Sequence, residues 1–109
     1  VRIMRFKCKR ALSFLLSNGF VATMRNYMLP LFTRVKVNGK YDAVVTDVYP
    51  AHKPMINTLY MISGFNSPQE WIEEAKRLHR GKIPRYILIV KLVNFPTAVG
   101  VRIMDLKTK

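Results

Sequence analysis

The sequence predicts an α+β domain, and three local signals carry that prediction. Asn38-Gly39 stands between two alternating runs, Arg34-Val-Lys-Val and Tyr41 to Tyr49. That is the pattern of a β-hairpin, because both turn residues tolerate positive φ. Ser67-Pro68-Gln69-Glu70 opens a helix. Ser67 caps it, Pro68 takes the first helical position, and Glu70 closes a capping box. Tyr86 to Val93 is dense in Ile, Leu and Val and reads as a buried strand.

The remaining elements follow in order. Residues 1 to 7 read as a strand, with Val1, Ile3 and Arg5 facing one way and Arg2, Met4 and Phe6 the other. Residues 9 to 18 read as a helix with the apolar stripe Ala11, Leu12, Leu15 and Leu16; Gly19 sits at its C-cap. Phe20 to Met24 is a short strand. Arg25 to Pro30 is a loop, since the residue before a proline is pushed out of helical geometry. Pro50 ends the second hairpin strand, and a short helix covers Met55 to Ile62. The helix from Ser67 runs through Trp71, Ile72, Ala75 and Leu78 to Arg80, and Gly81 ends it. Its glutamates lie early and Lys76, Arg77 and Arg80 late, which suits the helix dipole. Glu73 and Arg77 make a favourable i,i+4 pair, Glu70 and Glu74 an unfavourable one. Residues 99 to 104 read as a last strand. Val1-Arg-Ile-Met recurs as Val101-Arg-Ile-Met, which fits chance or two similar strands rather than a duplicated unit.

The length of 109 residues fits one domain, and half of them are apolar, enough for a core. A domain of this size buries about 60–70% of its unfolded surface and needs no disulfide. Cys8 is the only cysteine, which rules out an intrachain disulfide and a cysteine-based zinc site. It reads as an inert, half-buried thiol in an intracellular, cytoplasmic protein. No apolar run reaches the roughly 18 residues of a membrane span. Charges at Arg2, Arg5, Lys7, Lys9 and Arg10 interrupt any signal-peptide pattern.

The charge is lopsided. Nineteen Lys or Arg stand against six Asp or Glu, a formal net charge of +13, and the first forty residues hold nine cations and no acid. A compact body repels itself at that charge, so a polyanionic partner is expected. An anionic membrane would need a basic amphipathic helix. Residues 9 to 18 carry cations only at the front, so no membrane role is expected. RNA is the expected partner and DNA the alternative, because phosphate contacts alone carry no sequence information.

Little in the chain points to catalysis. Only Asp42, Asp47 and Asp105 lie outside the long helix. Asp42 and Asp47 are an odd number apart, so alternation puts them on opposite faces of one strand. His52 and His79, without clustered Cys or acids, make no metal site. His79 falls in the last helical turn, where a charged imidazole favours the dipole; His52 follows Pro50 in a loop, within reach of a ligand. No metal, cofactor or catalytic residue is assigned. Trp71 reads as core. Tyr27, Phe32 and Tyr60 sit near loops and cations and have two readings, core packing, which is the commoner in a small domain, or a platform on which a base stacks. Arg25 has two readings: a planar fork for phosphate or a base edge, or a structural arginine on Asp47 or a backbone carbonyl.

Two segments together resemble a known family. One is Asn18-Gly19-Phe20-Val21-Ala22-Thr23-Met24-Arg25 after a basic strand and a helix. The other is Ser63-Gly64-Phe65-Asn66-Ser67-Pro68-Gln69-Glu70-Trp71-Ile72 before the strand at Tyr86. Their order and spacing over residues 1 to about 93 resemble an ASCH domain of the PUA-like superfamily. The resemblance implies a small, mostly antiparallel β-barrel with two or three flanking helices. It also implies a cleft lined by the Thr-x-Arg strand and the turn before the long helix, and it implies RNA binding. Residues 94 to 109 are a C-terminal extension, expected to add an edge strand or to pair with another subunit. A hydrolase subgroup of the family uses a Lys, a Thr and a Glu; here only Thr23 fits, with Phe20 and Ser63 at the other two positions. The chain also has Pro30-Leu31-Phe32 where the family has Pro-Gly.

The expected function is therefore an RNA-binding module. Arg5, Lys7, Lys9, Arg10 and Arg34 are expected on phosphates, and Thr23, Arg25, Asn26 and Tyr27 around a splayed nucleotide. The alternative is a hydrolase or nuclease acting on a modified nucleoside or RNA. A hydroxyl with no base beside it is a poor nucleophile, which favours binding.

Overall fold

A computed structural model describes residues 2–95. Strand β1 (Arg2–Met4) leads into helix α1 (Lys9–Asn18) and strand β2 (Phe20–Arg25). Strands β3 (Arg34–Val37) and β4 (Tyr41–Pro50) form the hairpin. Helix α2 (Lys53–Leu59) runs into a 3₁₀ turn (Tyr60–Ile62), followed by helix α3 (Pro68–Leu78) and strand β5 (Tyr86–Leu92). The strand expected over 99 to 104 lies outside the described residues, as does most of the C-terminal extension.

The five strands make one sheet in the order β1-β3-β4-β5-β2. Every pairing is antiparallel except β1 with β3. Among the described residues the ladder is open, with β1 and β2 at its two edges. The sheet nevertheless curls. Met4 and Phe6 from one edge and Val21 from the other share one apolar cluster with Val35, Val37, Val45, Leu88 and Val90. Ala11 and Leu15 of α1, the helix that joins the two edges in sequence, complete that cluster.

The opposite face of β2 and β5 carries a second cluster. Ala22, Met24, Ile87 and Ile89 meet Ile56 of α2, Phe65, and Trp71 and Ala75 of α3. Burial on both faces explains why β5 reads as an unbroken apolar run rather than an alternating one. Trp71 is 3% exposed and belongs to this core, as its helical spacing predicts. Tyr60 packs against the same cluster.

Local chemistry sets the turns. Asn38 and Gly39 both take positive φ, +51° and +70°, as the hairpin reading requires. Asn38 does more: its N–H donates to the Met4 carbonyl (2.9 Å) and its Oδ1 accepts from the Phe6 N–H (2.7 Å). The hairpin tip thus holds the chain after β1 in place, and regular β1 stops at Met4 rather than at residue 7. Ser67 Oγ accepts from the Glu70 N–H at 3.1 Å, and the Glu70 carboxylate accepts from the Asn66 N–H at 3.2 Å. The capping box therefore reaches one residue further back than the usual form.

Three expectations need correction. Helix α3 ends at Leu78 rather than Arg80; Arg80 itself takes φ +58°, and the Gly81 N–H closes on the Lys76 carbonyl at 2.7 Å. Arg77 forks onto Glu74 (2.9 and 2.6 Å) rather than Glu73, and Glu73 accepts instead from Gln69. The Arg77 hydrogen bonds hold the Glu74 carboxyl below the usual carboxylate range. Finally, a β-bulge lies between Val45 and Asp47. The extra residue resets the alternation, so Asp47 pairs with Ile89 and shares its face. Asp42, opposite Lys36, lies on that same face rather than the other one. The two acids remain separately engaged: Lys36 holds Asp42 at 2.9 Å, and Thr46 Oγ1 donates to Asp47 at 3.0 Å.

Candidate functional site

Thr23 and Arg25 are two apart on β2, so their side chains leave the strand on one face. Their cross-strand partners, Leu88 and Tyr86, place that face toward the inner cluster. The Thr-x-Arg spacing has a direct result: Arg25 Nε donates to Thr23 Oγ1 at 3.1 Å. Arg25 Nη1 donates to the Arg5 carbonyl at 2.8 Å, and its guanidinium lies over the Phe6 ring at 4.6 Å. Arg25 therefore ties the end of β2 to the chain just beyond β1, across the open seam of the sheet. The backbone-carbonyl reading of Arg25 holds, and Asp47 takes no part.

A cleft of about 210 Å³ opens at this seam. Arg5, Phe6, Lys7 and Cys8 form one wall, Thr23, Met24 and Arg25 the second, and Leu78 and His79 from the end of α3 the third. Among the described residues no Asp or Glu lines it. Thr23 is 7% exposed. Burial holds the Arg25 guanidinium below its ordinary value, with the Tyr27 hydroxyl beside it acting in the opposite direction. Among the described residues Arg25 has no carboxylate partner.

His79 sits at the helix end, as the sequence reading had it, but its place in the cleft was missed. Its pKa lies below the ordinary histidine value, first because of burial and then because of Arg25 and Lys7. It is thus held toward the neutral form, not charged against the α3 dipole. The Asn26 amide donates to its Nδ1 at 3.3 Å, which fits a neutral ring. Phe6 and Cys8 were also missed as cleft residues. Their only local signal is position after the first strand; the Asn38 contact that places Phe6 is long-range.

The other expected contacts spread out. Asn26 borders the cleft through His79. Tyr27 is half-buried against the inner cluster, with the Arg2 guanidinium 5.0 Å from its ring centre. Arg34 is exposed at the start of β3 and away from the cleft walls. Lys9 and Arg10 border a separate depression with Glu70, Glu73, Glu74 and Arg77. Arg10 is committed there: it pairs with Glu70 at 3.2 Å, donates to the Gly64 carbonyl at 3.2 Å, and covers the Phe65 ring at 4.5 Å. His52 is exposed at the N-cap of α2, outside the cleft. Ser63, at the family's Glu position, is fully buried, donates to the Tyr60 carbonyl at 2.5 Å and accepts from the Phe65 N–H.

The cleft sets cationic groups beside an apolar wall. Its cations supply the charge, and Phe6, Met24 and Leu78 supply the wall. No protein-family model, curated protein or solved structure matches the chain. Among the described residues, no group of His, Cys, Asp and Glu is arranged to hold a metal ion, and no helix is long and apolar enough to cross a membrane.

Proposed function

We propose that this protein is an RNA-binding module that holds one nucleotide in the cleft around Thr23 and Arg25. One observation carries the reading. Arg25 is a half-buried cation with no carboxylate partner among the described residues, in a cleft that Arg5 and Lys7 make more positive still. A charge withdrawn from water is ordinarily paired, so this one favours an anionic ligand. The net charge of +13 supports a polyanion over a lone small anion. On this reading the curled sheet is a PUA-like barrel whose seam is closed by side chains rather than by a ladder. The lone cysteine is in keeping with work in the cytoplasm.

The hydrolase alternative has less support. The hydroxyl of Thr23 meets the Arg25 guanidinium, a cation that accepts no proton. A second group able to activate it is not in hydrogen-bond contact with it among the described residues.

The test is binding of labelled single-stranded RNA, structured RNA and duplex DNA across a salt series, with Arg25→Ala alongside. The expected result is a preference for RNA, with a log–log salt slope of roughly 0.7 per phosphate contacted. Arg25→Ala should weaken RNA binding at least about tenfold, more than one exposed phosphate contact accounts for. Equal binding to all three ligands, indifferent to Arg25, would overturn the cleft; preferred binding of the duplex would favour DNA.

A further inference from the structure

Three non-glycine residues among those described adopt positive φ: Phe32, Asn38 and Arg80. Asn38 suits its hairpin turn, and Arg80 follows a helix end. Phe32, at +69°, has neither excuse, and a bulky residue there is an outlier. Its side chain is 71% exposed, so burial does not offset the strain. The backbone imposes the conformation. The Phe32 N–H donates to the Val45 carbonyl at 2.6 Å, and the Val45 N–H donates to the Thr33 carbonyl at 3.0 Å. Thr33 closes the turn onto the Pro30 carbonyl through its N–H (3.2 Å) and its hydroxyl (2.6 Å). Leu29, 7% exposed, roots the loop in the inner cluster.

Glycine would meet every backbone demand of this turn without strain. The phenylalanine therefore adds something the fold does not need: a flat apolar face on a rigid support. Leu31 and Met28, 53% and 55% exposed, widen the patch. Cations flank the loop in sequence. Arg34 stands exposed two residues on, Arg2 covers Tyr27, and the loop lies inside the acid-free first forty residues. The loop is also continuous with the cleft, since it leaves β2 at Arg25. Phe32 lies seven positions after Arg25, a reach of at most about 25 Å, within the span of a few nucleotides.

We infer that Phe32 is a base-stacking residue for single-stranded RNA, on which a nucleotide flanking the one in the Arg25 cleft is laid, with Arg34 on the adjoining phosphate. The inference rests on the RNA-binding reading above. Strain stored at an exposed aromatic is the kind of local conflict that marks a contact surface, and stacking on such a ring tolerates any base.

The experiment measures Phe32→Gly and Phe32→Trp beside the wild type, using mixed-sequence single-stranded RNA of about 12 nucleotides. Phe32→Gly should raise the melting temperature and weaken RNA binding by about fivefold to a hundredfold. Phe32→Trp should bind like the wild type, with fluorescence from the new indole quenched as RNA is added. If wild type and Phe32→Gly bind RNA equally, the stacking role is overturned while the cleft reading stands. If the wild type does not bind RNA at all, both fall. Vesicles of phosphatidylcholine and phosphatidylserine form the last arm. Vesicle binding lost in Phe32→Gly, with RNA binding unchanged, would overturn the stacking role in favour of a lipid anchor.

Discussion

Arg10 and Arg25 make nearly the same contacts in two places. Each sits over a phenylalanine ring, Phe65 at 4.5 Å and Phe6 at 4.6 Å, and each donates to a backbone carbonyl, Gly64 and Arg5. The difference is an acid. Glu70 neutralises Arg10, in a depression that also holds Glu73 and Glu74. Among the described residues Arg25 has the Thr23 hydroxyl and the nearby Tyr27 but no carboxylate, and no acid lines its cleft. Cys8, just before α1, borders both depressions. Two arginines with similar contacts thus differ in whether a carboxylate of the described residues meets their charge.

The sharpest way to break the Arg10 contacts is at Gly64. It takes φ +94°, and an added Cβ would lie 2.7 Å from the Arg10 carbonyl oxygen. Gly64→Ala should cost roughly 2–3 kcal/mol, from left-handed strain plus a contact with backbone that cannot yield. Denaturant unfolding measures it, and a loss under about 1 kcal/mol would mean that the two segments separate freely.

Arg10→Ala and Arg25→Ala should then have opposite signatures. Arg10→Ala removes a stacked cation, a hydrogen bond and a half-exposed ion pair, at a cost of about 1–2 kcal/mol of stability. It should leave RNA binding within about threefold, the effect of one distant charge. Arg25→Ala loses similar contacts but also removes a desolvated, unneutralised charge, so stability should change by less than about 1 kcal/mol. Paired unfolding and binding curves test the contrast; two variants with the same signature would erase it.

The smallest expected effect is a pH dependence from His79. Its folded pKa lies below the unfolded value, because of burial and then Arg25 and Lys7. The unfolded chain therefore takes up a proton first, so stability is complete above about pH 6.5 and falls as pH drops through that value. His79→Gln should flatten the stability profile between about pH 7 and 5. A bound anion should raise the His79 pKa, visible as a shifted imidazole titration by NMR. An unchanged titration with RNA bound would place the ligand outside the cleft.

Much of this was legible in the chain, where the controlling interactions are local. The Asn38-Gly39 hairpin, the Ser67 cap, the apolar run of β5 and the burial of Trp71 all depend on backbone preferences or on periodicity over a few residues. Thr23 and Arg25 were expected together only through the family resemblance; the strand was read as ending at Met24, and it is the extension of β2 through Arg25 that gives the two a shared face. Other features depend on contacts distant in sequence. The bulge at Thr46, which returns Asp42 and Asp47 to one face, answers to the register of β4 on β5. The parallel pairing of β1 with β3, the Asn38 bonds that hold Phe6, and the placing of His79 beside Arg25 join residues more than thirty apart. Sequence alone determined which elements form and which residues are charged. Tertiary structure alone decided which of those charges are neutralised, because a cation's partner is set by what the fold packs against it.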